Sequence, residues 1–388
     1  MEILEDKYLQ SMRQVADPIA DNTINSLLQH KEITELKDVF KNLVYNREID
    51  TDKMPEAIKE YFTQNEKLPD FANIGLINKA QSAFAKFGPS IILAYFHKSL
   101  PECYACGMGA EVLGMTGRLT NHTRRRVAQT AQFVMDVMTP GGLNKNGKGI
   151  SSALKVRLVH ASIRYYLKKS VEEGKESYDY NKMGKPINQE DLVGTMLAFS
   201  VVVIQGVEKL GVKVQQEEKE AILHLWKVVG YMIGIKEEIM PKDFQQAEQL
   251  WAKITSRLYA KTNAGIQLNN HLIEMLQEII PKHSYDGIVY LLMNHLIDDK
   301  AKIILDVKTN YQHRFLTLIL GFILDILLKF DSNSRFSRYF TNHLNLILLN
   351  ELKSYVSENE SIDILVPPGL HSDWEDNHDK SDKILGIF

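Results

Sequence analysis

Almost every stretch of this chain repeats its apolar residues at the three-to-four spacing of a helix, and no series of alternating, β-branched segments closed by hairpin turns interrupts it. That period argues against a sheet-based fold, because a strand needs side chains that alternate between two faces. The expected class is all-α: a multi-helix single core with extra peripheral helices. With 388 residues and 44% hydrophobic content, the chain can bury a large core. Residues 1–70 are polar and helix-patterned, with breaks at Pro18 and Pro55, and read as a peripheral N-terminal cap. Residues 71–260 carry the densest apolar patterning and read as the core. Residues 261–366 read as further helices packed on it, and 367–388 as a polar tail.

Punctuation within the core region is sharp. A long helix is expected from about Asn121 to Met138, stopped where Pro140, Gly141 and Gly142 follow Thr139. A second is expected from about Ile150 to Glu173. The polar run from Val171 to Pro186 reads as a surface loop, after which Asn188 caps a new helix with Asp191 in its first turn. The apolar run Phe315 to Phe330 is broken by Asp325 and falls short of the ~20 residues that span a bilayer, so it reads as a buried helix and stable membrane insertion is not expected. A net charge of -3 provides no positive field to gather nucleic acid. The opening residues, MEILEDKYLQ, are charged and lack the apolar centre of a secretory leader, which suggests a cytoplasmic protein.

Familiar catalytic signatures are missing: no phosphate-binding loop, dinucleotide fingerprint, H-E-x-x-H zinc motif or nucleophile elbow appears. Cys103 and Cys106 form a lone C-x-x-C pair, and a zinc site needs four ligands, so two small packed residues are the simpler reading. His160 is one of 12 histidines. It stands mid-helix among Val156, Leu158, Val159 and Ile163, with Arg157 and Arg164 one turn to either side. A histidine so placed is ordinarily a hydrogen-bonded core or surface residue; alternatively, it is the single axial imidazole that holds a haem iron, with the arginines meeting the propionates. On the preceding helix Arg126, Gln129, Thr130 and Phe133 share a face. The run Arg124 to Arg126 reads either as a solvated basic face or as the polar lining of a pocket.

These segments together resemble the rubber oxygenase (latex clearing protein) and MpaB-type oxygenase family. The resemblance is carried by SLPECYACGMGAEVLGMTGRL, RRRVAQT, MTPGGL, KVRLVHASIRYYL, GKPINQEDLVGTMLAFS, LHLWKVVGYMIGI and MPKDFQQAEQL, in that order, between about Gly75 and Ala260. It implies a globin-like helical core, haem b as cofactor, His160 as the proximal iron ligand, and Arg126 and Thr130 beside the haem. It also implies a lysine at the position of Gln129, which is a neutral amide here, and an upstream glutamate base, for which Glu111 is the nearest acidic residue. The implied activity is a haem-dependent oxygenase using O2 on a small apolar or terpenoid-like molecule. The absent leader and Gln129 make polymeric rubber an unexpected substrate. The alternatives are a haem protein without turnover, such as a gas sensor or carrier, and a helical scaffold that has lost haem.

Overall fold

The computed structural model describes residues 2–30, 54–115, 123–145, 147–279 and 287–308. Its helices are α1 (Asp6–Met12), α2 (Pro18–His30), α3 (Glu56–Asn65), α4 (Ile74–Ala94), α5 (Leu100–Ala105), α6 (Gly107–Met115), α7 (Thr123–Met138) and α8 (Lys148–Glu172). They continue with α9 (Tyr180–Met183), α10 (Gln189–Leu197), α11 (Val203–Lys209), α12 (Gln216–Met232), α13 (Phe244–Leu258), α14 (Asn263–Ile279), α15 (Gly287–Leu296) and α16 (Asp299–Ile304). Among the described residues there is no strand, only a lone bridge between Cys106 and Tyr259. The fold is all-α, as the periodicity implies.

Local chemistry starts these helices where the sequence suggests. The Asn188 side chain accepts the Asp191 N–H, Asp243 accepts that of Gln246, and Asn73 accepts that of Leu76, each satisfying a donor that the first helical turn leaves open. At α12 a capping box pairs Gln215 with Glu218. Two helices widen into π turns, at Tyr95–Ser99 between α4 and α5 and at Ala198–Val202 between α10 and α11. The turns face each other: Tyr95 Oη donates to the Phe199 carbonyl at 3.0 Å and Ser99 Oγ to that of Ala198 at 2.8 Å. The continuous helix Gln189–Lys209 is long and apolar enough to cross a membrane by length and composition, yet 83% of its apolar window is buried inside the molecule. It is the central helix of the core.

That core is one cluster whose members run from Ile3 to Leu258. Ala20, Ile24 and Leu27 recur on one face of α2, which lies along α8, and Leu9, Ile58, Tyr61 and Phe62 join the same cluster. The N-terminal region expected as a peripheral cap is thus built into the main core. A second cluster joins α14, α15 and α16 to Phe96, Tyr104, Ala110, Val127 and Ala128, so the first of the expected C-terminal helices pack on the body. The apolar run Phe315 to Phe330, the rest of residues 309–366 and the polar tail 367–388 lie outside the described residues. Val171 to Pro186 is not simply a loop, since it holds α9 and docks on Arg13, whose carbonyl accepts the Lys185 N–H at 2.8 Å.

The turn between α7 and α8 sets the two helices side by side. Gly141 has φ +81°, a conformation side chains resist, and a Cβ on Gly142 or Gly147 would run into backbone carbonyl oxygens. Gln81 of α4 clamps the turn, donating to the Val137 carbonyl and accepting the Gly141 N–H, both at 3.1 Å. Across the hairpin, Ser152 Oγ donates to Asp136.

Candidate functional site

On α8, Leu154, Leu158 and Ala161 are fully packed, while Val156, Val159, His160 and Ile163 form a half-buried stripe. Among the described residues, those three aliphatic side chains join none of the apolar clusters. An apolar stripe in the middle of a 25-residue helix that joins no apolar cluster among the described residues is a binding surface in form. His160 stands in it. Its Nδ1 is buried without a hydrogen-bond partner. Burial, followed by the charge of Arg164, pushes its pKa down to about 4, so the imidazole is neutral near pH 7 and keeps a lone pair to offer.

The two arginines beside it already have carboxylates. Arg157 makes a two-bond fork to Asp17, Nε to Oδ2 at 2.5 Å and Nη2 to Oδ1 at 2.8 Å. Arg164 donates through Nε to Asp21 Oδ1 at 2.7 Å and through Nη1 to the Ile187 carbonyl at 3.4 Å. The two arginines expected to meet the carboxylates of a bound group thus already have acceptors from within the chain, Asp17 just before α2 and Asp21 on it. Arg164 nonetheless keeps Nη2 buried and unpartnered. On one face of α8, then, an unsatisfied imidazole and an unsatisfied guanidinium nitrogen stand one turn apart.

On α7, Arg126 is half-buried, with Nη2 3.5 Å from Tyr104 Oη, and its carbonyl accepts the Thr130 hydroxyl at 2.9 Å. Gln129 and Phe133 follow on the same half-buried face. Thr130 stands at the border of that face and also lines a small apolar cleft of about 40 Å³ with Tyr95, Phe96, Val127, Val134 and Phe199. Both hydroxyls in this wall, of Thr130 and Tyr95, donate to main-chain carbonyls, which leaves a greasy interior. Edge-on rings continue it: Phe133 meets Trp226 at 6.1 Å, and Trp226 meets Phe199 at 5.2 Å. Glu111 is half-buried on α6, and its carboxylate forms no hydrogen bond or ion pair among the described residues. The structure groups Arg126 with Thr130 and His160 with its arginines on two packed helices; it joins neither group to Glu111 by a bond.

Other candidates fall away. Cys103 and Cys106 are free; burial pushes the Cys103 thiol up to about 12 and that of Cys106 well above its ordinary value, so neither offers a thiolate. No group of three or more His, Cys, Asp or Glu able to hold a metal ion occurs among the described residues. His224 Nε2 accepts the Asn73 N–H at 2.9 Å, a structural role. Sequence reasoning missed Asp17, Asp21, Tyr104 and the aromatic cleft wall. Asp17, directly before Pro18, reads as a helix start and gives no sign of a partner 140 residues away.

Residues 95–318 match the family described as ER-bound oxygenase mpaB/B'/rubber oxygenase, catalytic domain, which is more than half of the chain. The chain belongs to that family. The matched segment contains both π turns, Arg126, Gln129, Thr130 and His160, while α1 to α4 precede it. A rubber oxygenase of Streptomyces sp. (strain K30) is 22% identical over 277 residues, covering 68% of this chain and 64% of that protein's length. A solved structure, latex clearing protein LCP in the closed state, superposes with a TM-score of 0.72 at 19% identity over 92% of this chain and 94% of that one. Membership in the rubber oxygenase family and the all-α architecture thus agree.

Proposed function

We propose that this chain is a haem-dependent oxygenase that uses O2 on an apolar, polyisoprene- or terpenoid-like molecule, with His160 as the axial ligand. The observation that carries the reading is the neutral imidazole of His160, its Nδ1 buried without a partner, set in a half-buried aliphatic stripe. Such a surface suits a flat apolar prosthetic group, and Arg164 Nη2 suits its carboxylate. Haem, when bound, supplies the redox-active iron that O2 chemistry needs. The chain's own residues do the rest. His160 stays unprotonated and ligates. The cleft walled by Tyr95, Phe96, Val134 and Phe199 takes up hydrocarbon and excludes water. Arg126, Gln129 and Thr130 bring the nearest polar groups on α7, and Glu111 is the candidate proton acceptor on α6.

The test begins with ultraviolet-visible spectra of the purified protein, as isolated and after reduction with and without carbon monoxide. His160→Ala is expected to lose the haem bands while His224→Ala keeps them, because His224 already serves the Asn73 N–H. Arg126→Ala and Thr130→Ala are expected to retain more haem than His160→Ala and to alter the spectrum or the oxygen kinetics. Equal haem occupancy in the two histidine variants removes His160 from the site. Steady O2 consumption with a soluble alkene separates an oxygenase from a haem carrier or sensor.

A further inference from the structure

Four charged side chains from helices far apart in sequence meet beside His160. On α8, Arg157 and Arg164 lie three residues before and four after it; on α2, Asp21 comes one turn after Asp17, at the start of the helix. Each arginine takes one aspartate, so two ion pairs span the turn that carries the imidazole. Arg157, Asp17 and Arg164 are each more than nine-tenths buried. Their surroundings are fitted to them. Gly234, at φ +95°, lies so close that a Cβ there would stand 2.5 Å from Asp17 Oδ2 and 2.9 Å from Arg157 Nε. Gln189 ties the flanking backbone together, donating to the Ala16 carbonyl at 3.2 Å and the Gly234 carbonyl at 2.9 Å. The pairing leaves one donor over, Arg164 Nη2, on the same side of α8 as the unpartnered His160 Nδ1.

We infer that Asp17 and Asp21 are positioning residues of the His160 site, and that α2 is its outer wall. This rests on the haem reading above. By engaging Arg164 through Nε, Asp21 fixes the plane of the guanidinium and leaves Nη2 without a partner. By filling the Arg157 fork, Asp17 locks the turn before His160. Aspartates that only competed with a ligand's carboxylate would give the opposite sign on removal, so the inference commits to a direction.

The experiment uses the full chain with haem as the probe. Asp21→Asn is the main variant, since its side chain is 27% exposed and a folded protein is expected; Asp17→Asn is the second. Asp21→Glu tests rescue, and Asp70→Asn, in an exposed pair with Lys67, controls for loss of a surface charge. Haem loss to apomyoglobin, the iron midpoint potential and the spin-state bands are read together with hydrogen exchange in the apoprotein. Asp21→Asn is expected to release haem roughly 10-fold faster, shift the potential and bands, and speed exchange across residues 157–164 but not across α12. Asp21→Glu should recover part of each change and Asp70→Asn should show none. Unchanged or slower haem loss in a folded Asp21→Asn protein, with the parental potential, overturns the inference. Wild-type protein that takes up no haem, or His160→Ala protein that keeps it, overturns the haem reading and with it the role of α2. The exchange result shows independently whether the clamp on α8 exists.

Discussion

At the scale of single residues, what marks His160 is tertiary. Its pattern in sequence is that of any mid-helix histidine, and the family resemblance alone singled it out. Its lack of a partner becomes visible only once α8 is packed. Arg157 and Arg164 were legible as residues flanking it, but their partners were not, because nothing local connects them with Asp17 and Asp21. A pH dependence follows for the protein without haem. Burial, then Arg164, holds the folded-state pKa of His160 near about 4, below its ordinary value of 6.5. The folded state therefore favours the neutral ring. Its contribution is fully present above about pH 6.5 and is lost as pH falls towards 4, by on the order of 2–3 kcal/mol at most. Urea unfolding of apoprotein at pH 7.5 and pH 5 should show a steeper loss of stability in the parent than in His160→Ala. Equal losses would place the imidazole in contact with water.

At the scale of elements, the existence of helices and their stops was plain, and the reason is backbone chemistry. The helix expected to end at Met138 does so, and the one expected from about Ile150 to Glu173 runs from Lys148 to Glu172. Asn121, its expected first residue, lies outside the described residues, and α7 begins at Thr123. The π turns were not legible, because they depend on the hydroxyls of Tyr95 and Ser99 reaching carbonyls of a helix about 100 residues later. In sequence the glycines after Pro140 are a helix stop; in the structure they also let α7 and α8 close on each other. Gly142→Ala should then cost about 2–3 kcal/mol, because its Cβ would strike the Asp136 carbonyl oxygen at the very end of α7. Gly109→Ala, in the first turn of α6 where a Cβ meets nothing within 4 Å, should be neutral or stabilise by up to roughly 0.5–1 kcal/mol. Denaturant midpoints of both variants check the pair. A harmless Gly142→Ala would mean that the hairpin has slack.

At the scale of the whole molecule, composition and period gave the all-α class but could not show which helices share a core. Residues 1–70 look peripheral because polar residues dominate their sequence, yet among the described residues Leu9, Ile24, Ile58 and Tyr61 join the cluster around α8. Polar contacts bind them as firmly. Arg13, 1% exposed, donates to Asp191 at 2.9 Å, to Glu190 at 3.2 Å and to the Met183 carbonyl at 2.6 Å, joining the end of α1 to α9 and α10. Arg257 of α13 holds the other oxygen of Glu190 at 2.8 Å and reaches Asp6 of α1 at 2.9 Å. Removing Arg13 leaves the fully buried Glu190 with a single cation and Asp191 with none, and breaking a buried pair in this way costs about 3–5 kcal/mol. If α1 and α2 are integral, that loss is felt everywhere at once. Trp226 and Trp251, both in the main cluster, report on the core by fluorescence, while far-ultraviolet circular dichroism reports on all helices. In Arg13→Ala the two denaturation curves should move to lower urea together and remain superposed. A dichroism curve that falls first, with the fluorescence midpoint unmoved, would mean that the N-terminal helices melt as a separate cap and that the wall they give the His160 site is dispensable to the core.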